Sequence, residues 1–163
     1  MTSAIVSPLS LRKILSLSFL AATAFAAAAI PQVASAQSRI SGAAISKVAR
    51  DTRKVSISAS VGTSATGTIQ FIHNSPAGLT RFRGQVSCVS VSGGNVQVTG
   101  IIDKGETATG ALLDGKAFGI TVATSTSPQT FSMPSYGEPG AIAPCSGGRG
   151  ETVPVTEDGI KLH

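Results

Sequence analysis

The sequence predicts an all-β chain: a single antiparallel β-sandwich or small β-barrel with one disulfide, after an N-terminal signal peptide. Three observations carry that prediction. Beyond residue 54 the chain is rich in Val, Ile, Thr and Ser punctuated by Gly and Pro, a composition typical of strands and turns. Its apolar residues alternate with polar ones at a period of two. Its two cysteines, Cys88 and Cys145, both follow a segment laid out for export. The 163 residues suffice for one compact domain. Only 13% of them are charged and 42% are hydrophobic, which excludes a fully disordered chain. The 18 glycines follow no Gly-X-Y period, which excludes collagen.

Residues 1–36 have the layout of a signal peptide. Arg12 and Lys13 supply the positive start, and Ile14 to Ile30 form an uncharged apolar run. Pro31 breaks that run, and the small residues Ala34 and Ala36 suit a signal peptidase, placing cleavage before Gln37. The competing reading is an uncleaved anchor, because the run is near the lower limit of a membrane span. No second run reaches the roughly 18 apolar residues a span needs, so cleavage leaves no transmembrane anchor. The expected location is secreted, either extracellular or periplasmic.

Residues 37–54 read as a basic leader, flexible or a short helix. Arg39, Lys47, Arg50, Arg53 and Lys54 face Asp51 alone, while the rest of the exported chain is near neutral. Ile40, Ala44 or Ile45, and Val48 offer a short helical stripe, weakened by Ser, Gly and β-branched residues. No aromatic stacking residue lies among these cations, so nucleic acid is not an expected partner. A cationic leader suits an anionic envelope polymer or lipid headgroups.

Residues 55–163 form the β-domain. Val55 to Val61 alternates cleanly, with Val55, Ile57, Ala59 and Val61 on one face. Gly67 to His73 repeats the pattern with Ile69, Phe71 and His73, and Asn74 to Gly78 reads as a turn. Thr80 to Ser92 is the longest candidate strand. Phe82, Val86 and Cys88 share a phase, and Arg81, Arg83 and Gln85 fall on the opposite, wet face. At Cys88-Val89 the apolar phase slips by one, which a β-bulge or a crossing between sheets would explain. Ser92-Gly93-Gly94-Asn95 supplies a tight reversal, and Asn95 to Asp103 returns, making residues 80–103 a β-hairpin. Ala117 to Thr124 is a further strand, and Gly159 to Leu162 a short closing one. Ser125 to Gly150 is dominated by Ser, Pro and Gly and reads as a long excursion with little regular structure.

An even cysteine count in an oxidising compartment favours a Cys88–Cys145 disulfide, pinning the excursion to the central hairpin. Neither a C-x-x-C redox spacing nor a zinc-ligand set is present.

Catalytic signals are sparse. His163 ends the chain, and His73 falls in phase with Ile69 and Phe71, where a histidine is usually a rim or core residue. A hydrolase built on His73 would need Asp103 or Asp114 as its acid, and no G-x-S-x-G elbow marks a nucleophile. The candidate carboxylates, Asp103, Glu106, Asp114, Glu138, Glu151, Glu157 and Asp158, lie in or beside turn segments, where acids are usually solvated. Residues 103–106 and 113–115 resemble calcium loops only faintly, without the alternating oxygen ligands. No phosphate-cradling glycine motif occurs. The expectation is no catalytic residue, no metal and no cofactor.

Gly67 to Phe71, Gly84 to Val91 and Gly94 to Gly100 together resemble a group of small exported bacterial β-domain proteins of unknown function, often actinobacterial. Their shared hairpin pattern is G-x-V-x-C-x-x-V-x-G-N, with a second cysteine downstream. Here Val96 and Val98 stand where that group commonly has a small residue. The resemblance implies export, a β fold and the disulfide, and carries no activity.

The function these readings favour is a non-enzymatic exported domain that binds a protein or an envelope polymer. Loops and exposed faces of such scaffolds commonly carry the contacts. The candidate surface is Arg81 and Arg83 on the wet strand face, with Phe131, Met133 and Tyr136 in the excursion; the competing reading is that the arginines are ordinary surface and that Phe131 with Met133 plugs the core. The alternatives are a small inhibitor of an exported enzyme, inserting a loop within 126–144, and the His73 hydrolase.

Overall fold

The computed structural model describes residues 38–148 and 150–163; the signal-like segment 1–36 and its cleavage point lie outside them. The described residues contain ten strands and no helix. They are β1 (Arg39–Val48), β2 (Asp51–Ser60), β3 (Gly67–Ser75), β4 (Gly78–Ser92), β5 (Asn95–Glu106), β6 (Ala117–Ala123), β7 (Thr130–Ser132), β8 (Ser135–Gly137), β9 (Thr152–Pro154) and β10 (Glu157–Leu162). All pair antiparallel in one sheet of order β10-β1-β2-β3-β4-β5-β6-β7-β9, with β8 added beside β6. The described residues are therefore all-β, and their strands form one curled sheet.

Alternation explains the core. Val55, Ile57 and Ala59 of β2, Ile69 and Phe71 of β3, and Phe82 and Val86 of β4 turn inward and are buried, as the period-two pattern predicts. Phe82 lies 5.5 Å from both Phe71 and Phe118 between ring centroids, and Tyr136 meets it edge-on at 5.7 Å. Such offset and edge contacts add about 0.5–1.5 kcal/mol per pair beyond simple burial. The 80–103 hairpin is present, with Gly93 and Gly94 at positive φ in its turn.

Two bulges interrupt the β4–β5 ladder. Val86 pairs with Gly100 and Cys88 with Thr99, leaving Ser87 as an extra residue on β4. Arg83 pairs with Lys104 and Gly84 with Ile102, leaving Asp103 extra on β5. The first bulge produces the phase slip read at Cys88-Val89: Cys88 turns outward and Val89 inward, and both are buried.

Residues 39–48 correct the expected flexible leader or short helix. They form β1, paired along its whole length with β2 and over Ile40–Ile45 with β10. The spacing Ile40, Ala44, Val48 satisfies a helical stripe and a period-two face equally. The reversal into β2 uses Ala49 at φ 53° rather than the Asn-Gly of a typical hairpin, so no turn signal announced it. The excursion is also more regular than expected, since β7, β8 and β9 fall in or just after it.

The two ends of the sheet approach one another through Gln129. Its side-chain amide donates to the Ile160 carbonyl at 3.1 Å and accepts from the Ile160 N–H at 3.0 Å, as a neighbouring strand would. Its backbone carbonyl accepts from Val155 N–H at 2.7 Å.

Cys88 and Cys145 form the disulfide, closing a separation of 57 residues. It fastens residues 142–148 over the outer face of β4, β5 and β6. Cys145 N–H donates to Thr99 Oγ1 at 3.0 Å, and Ser90 Oγ donates to the Cys145 carbonyl at 3.4 Å. Thr99 is thereby buried although it points away from the core. A Cβ at Gly119 would lie 3.2 Å from the Ser146 and Gly147 carbonyls, so glycine lets the strap lie close to β6.

Two stability measurements follow from these contacts. Gln129→Met keeps the length but orphans both polar groups of Ile160, and a loss of about 2 kcal/mol in chemical denaturation is expected; an unchanged midpoint would mean that water replaces the amide fully. The Cys88→Ala/Cys145→Ala double variant is expected to lose roughly 4 kcal/mol, the closure entropy of a loop this long. A midpoint equal to that of the oxidised chain would show that the strap is held without the bond.

Candidate functional site

The outer face of the sheet divides in two. Over β4–β6 it is covered by the strap. Over β2–β5 it is open, and the residues there come from regular alternation: Gln70 and Ile72 of β3 stand beside Arg83 and Arg81 of β4. Arg81 in turn faces Glu106 of β5, and Arg83 faces Lys104. Residues 107–116 fold back along β5, and Leu112 and Asp114 supply the far wall of a groove of about 350 Å³. Leu112 is 73% exposed.

Charge in this groove is unevenly satisfied. Arg81 Nη2 and Nε lie 2.9 and 3.0 Å from Glu106 Oε1. Asp114 Oδ1 accepts the Gly105 N–H at 2.8 Å. Arg83 and Lys104 stand directly opposite each other across the ladder, and neither has an ion-pair partner among the described residues. Like charges in that relation destabilise a sheet.

Arg81 and Arg83 therefore sit where the alternation of β4 places them, on an exposed face. Lys104 was hidden from sequence reasoning. Val96, Val98, Gly100 and Ile102 point inward, and an unbroken strand would send Lys104 inward as well; the Asp103 bulge turns it out. The remaining proposed surface residues need correction. Phe131 is fully buried in the core, and Met133 and Tyr136 are half-buried against it. Pairing of β7 with β6 and β9 turns Phe131 inward, pairing of β8 with β6 sets Tyr136 opposite Phe118, and Met133 between the two strands packs against the core, so they form no exposed patch with the arginines. Burial pushes the Tyr136 phenol up, and its hydroxyl has no hydrogen-bond partner among the described residues.

A second polar cluster occupies the inner face at the β2–β3 end. Asp51 Oδ2 accepts from Arg53 Nη2 at 2.9 Å and Oδ1 from Arg53 Nε at 3.1 Å, and His73 Nε2 lies 3.0 Å from Oδ1 and 3.1 Å from Oδ2. Arg53 Nη1 also reaches Glu151 at 3.4 Å. The Arg53 guanidinium, helped by His73, holds the Asp51 carboxyl below its usual range against the opposing effect of burial. His73 is thus a rim residue in phase with Ile69 and Phe71, and its acid is Asp51 rather than Asp103 or Asp114. Asp103 accepts from Gln85 Nε2 at 2.7 Å instead. No hydroxyl is bonded to the His73 ring among the described residues, and the cluster joins β2, β3 and residue 151. No group of three metal-ligating side chains occurs among the described residues, and no helix there is long and apolar enough to cross a membrane.

The Asp51 cluster has a pH signature. A carboxyl depressed on folding contributes stability that is full above its unfolded value, about 3.9, and is lost as pH falls through the lower folded value. Denaturation between pH 6 and pH 2 should show that loss, and Asp51→Asn should flatten it while lowering stability at neutral pH. An acid limb identical in the variant would mean that other carboxyls carry the linkage.

No protein-family model, no curated protein and no solved structure matches this chain.

Proposed function

We propose that this chain is an exported, non-enzymatic β-domain that binds a partner at or beyond the cell envelope through the open outer face of β3–β5. One observation carries the reading: a groove of about 350 Å³ built around Arg81 and Arg83, on the half of the face that the strap leaves uncovered. Its volume lies in the range of ligand sites. Export is supported by the layout of residues 1–36 and by a disulfide, a bond of oxidising compartments. The non-enzymatic reading is supported by the engagement of the acids: Asp51 with Arg53, Glu106 with Arg81, Glu138 with Lys116, and Glu157 with Lys47.

The test is a crosslinked capture from native culture fluid and envelope fractions. The secreted chain, expected to begin at Gln37, is compared with its Arg81→Gln/Arg83→Gln variant. A partner retained by the parent and lost by the correctly folded variant supports the face. A partner held equally by both removes it as the site.

A further inference from the structure

The groove does not end at Arg83. Gln70 and Arg83 also line a second concavity, of about 580 Å³, which continues across the outer face toward β2. The two halves differ in chemistry. In the first, Glu106 is taken up by Arg81 and Asp114 by the Gly105 N–H, while Arg83 and Lys104 oppose each other across the ladder without ion-pair partners among the described residues. The second presents hydroxyls from Ser56 and Ser58 of β2 and Thr68 of β3, with the Gln85 amide of β4 bonded to the Asp103 carboxylate at 2.7 Å. From β2 to β5 the face spans three strand spacings, roughly 14 Å, so an elongated occupant fits better than a compact one.

The backbone decides between kinds of elongated ligand. β2, β3, β4 and β5 are all interior strands with a neighbour on each side. Their N–H and C=O groups are already paired, so a peptide cannot bind here by adding a strand. Recognition must come from side chains. The ring of Phe82 beneath the groove points into the core, 3% exposed, and gives no stacking platform. A neutral sugar chain would leave the charges of Arg83 and Lys104 uncompensated. A chain with both hydroxyls and acidic groups uses both halves at once, with Arg83 and Lys104 taking the acid.

Resting on the binding face proposed above, we infer that the occupant is an extended acidic glycan, its carboxylate or phosphate groups held between Arg83 and Lys104 and its hydroxyls by Ser56, Thr68 and the Gln85–Asp103 pair. The opposed cations are then the arrangement that the bound anion relieves.

Calorimetric titration of the full secreted chain tests this with polygalacturonate, a phosphomannan, neutral dextran and poly-L-glutamate. Polygalacturonate, the phosphomannan or both should bind, weakening as salt rises, and neutral dextran should not. Arg83→Gln/Lys104→Gln should weaken binding about tenfold or more, as expected for losing two charge-assisted contacts. Ser56→Ala/Thr68→Val should weaken it less and leave its salt dependence unchanged. Failure of both acidic glycans to bind would overturn the inference, as would binding indifferent to the Arg83/Lys104 substitutions. Poly-L-glutamate binding as tightly as the glycans would also overturn it, by making charge the whole of the recognition. The capture with the Arg81/Arg83 variant stands apart from these outcomes: if it still loses its partner, the binding face survives and only the glycan falls.

Discussion

Two extra residues in the β4–β5 ladder decide what the outside of this protein looks like. Without the bulge at Ser87, regular alternation would send Cys88 inward alongside Phe82, Gly84 and Val86. Without the bulge at Asp103, it would send Lys104 inward behind Val98, Gly100 and Ile102. Each bulge turns one side chain onto the outer face. Cys88 becomes the anchor for the strap, and Lys104 becomes the cation opposite Arg83. The covered and open halves of the face both follow from this pair of irregularities.

The interior tolerates the bulges because its packing is dominated by β-branched and aromatic side chains from many strands. Phe71, Phe82 and Phe118 run in contact through the core, and Tyr136 closes against Phe82 from the segment after β7. The strap, residues 142–148, contributes no residue to the buried apolar core. Its position depends on the disulfide, on Thr99 and Ser90 beneath it, and on glycines that permit close approach. Cys145 itself adopts φ 56°, a backbone region that non-glycine residues occupy only when their surroundings hold them there.

The legible parts of the fold were those written in local alternation and turn chemistry. Val55 to Ala59, Ile69 to Phe71 and the Gly93-Gly94 hairpin needed nothing beyond their neighbours in sequence, and the slip at Cys88-Val89 was visible as a broken period. β1 was not, because Ile40, Ala44 and Val48 fit two periods at once and Ala49 stands where a turn residue is usual. The three-residue strands β7, β8 and β9 exist through distant partners, Val122, Phe118 and Phe131 among them, and carry no period of their own. The same division holds at the site. Arg81 and Arg83 follow from the phase of β4, whereas Lys104 depends on a bulge whose only trace is the Asp103-Lys104 pair of polar residues. Between surface and core, Phe131 and Met133 could not be assigned from sequence, and Tyr136 reads as exposed, because a Ser-, Pro- and Gly-rich segment gives no face until its pairing is known.

The most direct test of this account is residue-resolved amide hydrogen exchange on the oxidised and the reduced protein. If Cys88 faces outward to hold a strap over one half of the face, reduction should remove protection from residues 142–148 and from the strands beneath them. The amides of β3 and of residues 78–86 should exchange as before. A parallel loss of protection across β3 and the first half of β4 would contradict it, by showing that the disulfide holds the core rather than the strap.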